Sequence, residues 1–109
     1  MAIEKISQAL IELAQPLLQQ VDEQTTETQI KAAFQLAVTV WNAVAFDNRD
    51  PQNNYVEQMI ARANPQTLPL LKMLIERMKG LFGKELFAIS NYSVKYEDGD
   101  LNVHAEATI

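Results

Sequence analysis

Two clusters of acidic side chains are the places in this 109-residue sequence where a hard cation could bind. The first comprises Asp47, Asn48 and Asp50 in a predicted loop between helices. It lacks the glycine and the distant glutamate of an EF-hand loop, and capping and turn chemistry accounts for all three residues. The second comprises Glu97, Asp98 and Asp100 on a predicted hairpin turn, where a solvated tip is favoured over a weak calcium site. We therefore predict no metal and no cofactor.

The single histidine, His104, is the next candidate for chemistry. It alternates with Val103 and Ala105, so its side chain is predicted to point away from their face of a strand. No G-x-S-x-G motif supplies a nucleophilic serine, and the alternative is a pH-sensitive interface. Because the chain has no cysteine and one histidine, thiolate chemistry, disulfides and His-pair metal sites are excluded. We expect the protein not to be an enzyme, with no catalytic residues.

Positive charge is concentrated in the middle of the chain. Residues 1–57 carry three basic and eight acidic side chains, residues 58–84 carry five and one, and residues 85–109 carry one and five. The candidate anion-binding face consists of Arg62, Lys72, Arg77, Lys79 and Lys84. It has no glycine-rich phosphate loop and no interleaved aromatics, so a solvated helix face is favoured. The net charge of −5 argues against binding to nucleic acid or an anionic membrane.

The pair Trp41 and Asn42 lies inside an apolar helical segment. A buried asparagine amide needs hydrogen-bond partners. We interpret this pair as a buried polar feature that fixes a neighbouring loop or helix end. The alternative is that Asn42 lines a ligand pocket.

Four helices are predicted to carry these residues. The first runs from Ala2 to about Val21, and Pro16 is expected to kink it or break it because proline cannot donate to the carbonyl of Glu12. The second covers about 27–46. It starts at a capping box and is apolar nearly all round, which predicts a central helix surrounded by other elements.

Two shorter helices are predicted to follow. Asp50 is expected to cap the third, with Pro51 in its first turn. Asn64 and Pro65 end that helix. The fourth begins between Asn64 and Pro69 and ends near two glycines.

After Lys84 the apolar period changes from helical to two, which predicts strands at about 86–96 and 101–109 joined by a glycine-containing turn. The fold class is therefore α+β: a single domain of 1–109, with a helical part at about 2–83 and a C-terminal β-hairpin at about 86–109. The outer edges of such a hairpin are unpaired. The candidate interface strand consists of Leu101, Val103, His104, Ala105 and Ala107.

Targeting signals are not evident. No apolar run follows a basic start, so no secretory signal is predicted. The longest apolar stretch, from Ile30 to Phe46, is interrupted by polar residues, and a buried helix is favoured over a membrane span. We expect a cytoplasmic protein without membrane contact.

Three segments carry a resemblance to a known group. Residues 14–18 (AQPLL), residues 36–42 (LAVTVWN) and residues 79–87 before the hairpin together resemble a group of small bacterial proteins with no assigned activity. The resemblance covers most of the chain. It implies a bacterial, cytoplasmic protein, and it transfers no catalytic or binding residues.

Taken together, these features favour a non-enzymatic protein-interaction module that dimerises through its C-terminal hairpin or binds a protein partner. One alternative is a small-ligand or anion-binding module with a groove between the first helix and the basic fourth helix. A second alternative is an acidic inhibitor of the immunity or antitoxin kind.

Overall fold

Helices precede a terminal hairpin along the chain. The computed structural model describes residues 3–22 and 24–108, with side chains at 6–22 and 24–107. Its elements are α1 (Ile3–Leu18), α2 (Glu27–Arg49), α3 (Tyr55–Arg62), α4 (Leu68–Phe82), β1 (Ala88–Glu97) and β2 (Asp100–Thr108), with a 3₁₀ turn at Pro51–Asn53. The predicted α+β class, helices followed by an antiparallel hairpin, is confirmed. The predictions for Ala2 and Ile109 lie outside the described residues.

Helix α2 is the centre of the molecule. It contacts α1, α3, α4 and β1, and it begins at the predicted capping box of Thr26 and Gln29. It continues to Arg49, beyond the predicted end at about residue 46, so the predicted loop at 47–49 is helical. The prediction that other elements surround α2 is wrong along one stripe. Exposed residues recur there at helical spacing: Thr28, Lys31, Ala32, Gln35 and Thr39.

Of the kink or break expected at Pro16, the break into two helices does not occur. Helix α1 runs through to Leu18, with Pro16 in its last turn. Proline there removes one donor only, the one that would reach the carbonyl of Glu12. Arg77 of α4 supplies the missing donors, because its Nε and Nη2 lie 3.1 and 2.7 Å from that carbonyl oxygen.

The segment between α2 and α3 is held by two aspartates. Asp50 accepts from the backbone N–H of Gln52 and caps the 3₁₀ turn, so the predicted cap is present but serves one turn and not a helix. Asp47 accepts from the backbone N–H groups of Tyr55 and Val56 at 2.8 and 3.0 Å. It therefore satisfies the first donors of α3 from the last turns of α2.

The hairpin begins and ends within two residues of the predicted positions. Asp98 and Gly99 form its two-residue loop, both with positive φ (52° and 82°), as a type I′ turn requires. The strands pair Glu97 with Asp100 and Ile89 with Ala107, and the extra residue Ser90 forms a bulge.

One face of the hairpin packs on the helices, with β1 against α2 and β2 against α1. The residues on this face are Ile89, Tyr92, Val94, Tyr96, Leu101, Val103, Ala105 and Ala107. The opposite face is exposed and polar, and it carries Asn91, Ser93, Lys95, Asn102, His104 and Glu106.

Replacing Arg77 by Met is expected to reduce the free energy of unfolding by about 1 kcal/mol, because the Glu12 carbonyl loses its donors. In a Pro16→Ala background the loss should be smaller, since alanine at that position provides its own backbone N–H. Urea denaturation of the four variants in a double-mutant cycle measures this coupling. Lys72→Met, at an exposed position of α4, is the matched control. Equal losses in both backgrounds would contradict the assignment.

Candidate functional site

Side chains of α2 bind the backbone of the connector (residues 83–87), which links α4 to β1, and of the start of β1. Trp41, fully buried, donates from its indole N–H to the carbonyl of Phe87 at 2.9 Å. Asn42 makes two bonds to Ile89: its amide nitrogen donates to the carbonyl at 3.1 Å, and its amide oxygen accepts from the N–H at 2.7 Å. The half-buried Asn42 amide thus takes the place of a neighbouring strand at Ile89.

Two turns further along α2, two more side chains bind the connector. Asn48 donates to the carbonyls of Gly83 and Glu85 at 2.9 and 2.8 Å. Arg49 donates from Nε to the carbonyl of Leu86 at 2.6 Å. Residues 41, 42, 48 and 49 lie on one face of a helix because they are spaced by one and seven. This face positions β1 on α2.

The outer edge of β1 is open over its central residues. In an antiparallel pair, alternate residues direct both backbone groups away from the partner strand. The N–H of Tyr96 reaches Glu27, and the N–H of Ala105, opposite Tyr92, reaches Ser7. Tyr92, Val94 and Tyr96 are therefore the outward-directed residues of β1. Within the described residues, the backbone groups of Tyr92 and Val94 on this edge make no hydrogen bond.

Each end of this open edge is closed by a side chain of α2. Asn42 closes it at Ile89, and the Glu27 carboxylate closes it at Tyr96, accepting from the N–H at 3.1 Å. The N–H of Tyr96 lowers the pKa of Glu27 below its usual 4.5, and Lys31, 3.2 Å away, adds to the effect.

A groove runs along the open edge because α2 extends beyond β1. Packed helices lie about 8–10 Å apart, whereas paired strands lie about 4.8 Å apart. The layer formed by α1 and α2 is therefore wider than the layer formed by β1 and β2 that covers it. The groove has a volume of about 1050 Å³. We call it the edge groove, and its walls are the α2 residues Glu27, Thr28, Lys31, Ala32 and Gln35 and the β1 residues 92–97.

A second concavity, the α2–α3 pocket, follows along the same helix. It has a volume of about 530 Å³. Its lining residues are Thr39, Asn42, Ala43 and Phe46 of α2 and Tyr55, Gln58, Met59 and Arg62 of α3. The rings of Phe46 and Tyr55 meet edge to face with centroids 5.7 Å apart, and Tyr55 is 44% exposed.

The side chains of the predicted interface strand are mostly inside the core. Ala105 is fully buried, and Leu101, Val103 and Ala107 pack against the same core. His104 is on the outer face, as its alternation predicted, 3.5 Å from Glu106. The apolar side chains of this strand are thus turned towards the core, and the polar outer face is what the hairpin exposes.

The predicted anion face is not brought together as one surface. Arg62 lies on α3, and Arg77 faces α1, where it binds the Glu12 carbonyl. Lys72 and Lys79 share the exposed stripe of α4 with an acidic residue, Glu76, between them. Lys79 and Lys84 line a shallow concavity at the end of α4.

Of the two acidic clusters weighed as cation sites, the first binds backbone groups. Asp47 and Asp50 cap α3 and the 3₁₀ turn, and Asn48 holds the connector. Glu97, Asp98 and Asp100 are exposed around the hairpin loop.

Several site residues escaped the sequence analysis. Tyr55 and Met59 were not among the predicted site residues and Arg62 was predicted on the anion face, although their spacing of four and three places them on one face of α3. Lys31 and Gln35 appeared only as interruptions of an apolar helix. Their recurrence with Thr39 and Asn42 was the available signal of an exposed stripe.

Comparison of the chain with protein-family models, with curated proteins and with solved structures finds no match. The resemblance to a bacterial group therefore stays a prediction. Among the described residues, no helix combines the length and hydropathy needed to cross a membrane.

Asn42→Ala is expected to reduce the free energy of unfolding by about 1–3 kcal/mol, because both backbone groups of Ile89 lose their partner. Thermal and urea denaturation measure the change. Asn102→Ala, on the exposed face of the hairpin, is the matched control and should be nearly neutral. An unchanged melting temperature for Asn42→Ala would remove the case for this bridge.

Glu27→Gln is expected to lower stability at neutral pH, because the charged carboxylate is favoured in the folded state. A carboxyl with a lowered folded pKa stabilises above its unfolded pKa of about 4.5, and the stabilisation is lost as the pH falls through the lowered value. The difference between the wild type and Glu27→Gln should therefore shrink below pH 4.5. Urea denaturation from pH 7 to pH 3 tests this. Glu57→Gln, in the first turn of α3, controls for the general loss of a negative charge. A stability difference between the wild type and Glu27→Gln that does not change with pH would contradict this prediction.

Proposed function

We propose that this protein is a non-enzymatic interaction module that takes up an extended segment of a partner by strand addition at the outer edge of β1. The observation that carries the proposal is the open edge at Tyr92 and Val94, bounded by Asn42 and Glu27 and facing the edge groove. In strand addition, main-chain hydrogen bonds supply affinity and side-chain pockets supply specificity.

The edge groove makes the edge of β1 a better site for strand addition than an open strand edge with no groove beside it. Its floor is the exposed stripe of α2, where Lys31 and Gln35 offer polar groups and Ala32 leaves room for a chain. A third strand placed there would pair with β1 and contact α2 at the same time. The other edge of the hairpin differs, because Ser7 of α1 already binds Ala105 at its centre.

A second copy of the chain is one source of an added strand, in keeping with the homodimer predicted from the sequence. In a two-fold pairing of β1 with β1, each α2 would extend beneath the other copy's strand. Strands about 4.8 Å apart leave little room for two helices that need about 8–10 Å. We therefore favour an extended segment of another protein over the homodimer.

Small-ligand binding is the second candidate function. Its support is the α2–α3 pocket, which has Asn42 in its wall as that alternative requires. The groove expected between α1 and α4 has less support, because Arg77 is engaged with Glu12. The acidic-inhibitor alternative remains a prediction from net charge.

Selection from a library of random eight-residue peptides on the immobilised protein tests the proposal. Enriched peptides should slow amide hydrogen exchange at Tyr92 and Val94, because these N–H groups gain acceptors. Leu101 and Val103, on the edge of β2, are the internal control and should be unchanged. Light scattering across a concentration series gives the oligomeric state in the same samples.

Two results would overturn strand addition at β1. One is a selection that enriches no peptide. The other is protection that falls on β2 or on α4 and leaves Tyr92 and Val94 exchanging as in the free protein.

A further inference from the structure

We propose that the edge groove and the α2–α3 pocket act as one site for the carboxy-terminal tail of a partner protein. The tail lies antiparallel to β1, its last apolar side chain enters the α2–α3 pocket, and its terminal carboxylate binds Arg62. This inference rests on the proposed function, and it adds the chemistry and the direction of the bound segment.

The two concavities follow one another along the same exposed stripe of α2. Thr28, Gln35, Thr39, Asn42 and Phe46 recur at three, four or seven residues and so lie on one face of the helix. The first two line the edge groove, and the last three line the α2–α3 pocket. A chain that follows this stripe passes from the β1 edge to α3 without crossing a buried element.

Asn42 marks the point where the tail leaves the sheet. Its amide already occupies both backbone groups of Ile89, so an added strand can pair only beyond that residue, opposite Tyr92 and Val94. The same Asn42 side chain is in the wall of the α2–α3 pocket. A strand that stops pairing with β1 at this point therefore lies next to the pocket.

The pocket has the chemistry to hold an apolar side chain next to a carboxylate. Phe46, Tyr55 and Met59 supply its apolar wall. Arg62 is the one charged residue among its described lining residues, and it makes no ion pair in the described part of the chain. An arginine with a planar fork of donors suits a carboxylate, and an adjacent apolar wall suits the side chain of the same terminal residue.

Charge sets the direction of the tail. The far end of the groove has more acidic than basic side chains, because Glu27, Glu97 and the neighbouring Asp98 outnumber Lys31 and Lys95. A tail whose carboxylate lay at that end would meet like charge, whereas a tail running antiparallel to β1 places its carboxylate at Arg62. Antiparallel pairing is also slightly more stable per residue than parallel pairing. From Tyr96 to Ile89, about eight residues follow the β1 edge at about 3.3 Å per residue, and the last of them lies next to Asn42 in the pocket wall.

Selection from two libraries of random eight-residue peptides tests this inference, one displayed with free carboxyl termini and one with blocked termini. Enriched peptides from the first library should end in an apolar residue. Made synthetically, they should bind at least about tenfold more weakly as carboxamides, since a charge-assisted hydrogen bond is lost. Fluorescence anisotropy measures both forms.

Arg62→Gln should weaken binding of the free acid by a similar factor and leave binding of the amide nearly unchanged. Lys72→Gln, which removes an exposed charge from α4, is the matched control and should change neither. N-methylation of the peptide residue opposite Val94 should weaken binding to the wild type and to Arg62→Gln alike, because it removes a main-chain donor.

The outcomes separate this inference from the proposed function. Peptides that protect Tyr92 and Val94 but bind equally as acid and amide would overturn the tail inference and leave strand addition standing. Equal sensitivity of Arg62→Gln and Lys72→Gln would overturn it as well. Enriched peptides that leave the β1 edge exchanging freely would overturn both.

Discussion

The structure depends on how α2 satisfies the connector between α4 and β1. Residues 83–87 lie outside helix and strand, so their carbonyls need partners that no backbone ladder provides. Trp41 donates to the carbonyl of Phe87. Asn48 donates to the carbonyls of Gly83 and Glu85, and Arg49 donates to that of Leu86.

These bonds determine where the hairpin lies. With the connector fixed along α2, β1 must start beside Asn42, and its apolar face must lie over α2 and α1. A two-stranded hairpin is marginal in water on its own, and here its stability comes from burial of residues such as Val94 and Ala105. The open edge of β1 is a consequence of the same placement, because two helices beneath two strands leave α2 extending past the sheet.

Much of the fold could be predicted from local signals. The capping box at Thr26 started α2 correctly, and Asp98 and Gly99 located the hairpin loop. These features depend on residues a few positions apart, for which spacing alone is informative. The need of Asn42 for partners was also evident, since an amide in an apolar helix must be satisfied.

What escaped prediction depends on contacts across the chain. The partner of Asn42 at Ile89 is 47 residues away, and periodicity does not identify such partners. The Glu12 carbonyl, which Pro16 leaves without its helical donor, is bound by Arg77, 65 residues away. The candidate site itself is a gap between elements, and a gap has no sequence pattern beyond the polar stripe that borders it.

The net charge of −5 has a different meaning once these positions are known. Arg77 and Arg49 donate to backbone carbonyls, so part of the positive charge stabilises the fold. Arg62 differs, because it borders an apolar pocket lined by no carboxylate among the described residues. At the opposite end of the edge groove, the carboxylates of Glu27, Glu97 and Asp98 outnumber the two lysines. The difference in charge between the two ends therefore favours one orientation of a bound segment, in addition to the hydrogen bonds of the β1 edge. Both effects can give specificity even where neither gives strong affinity.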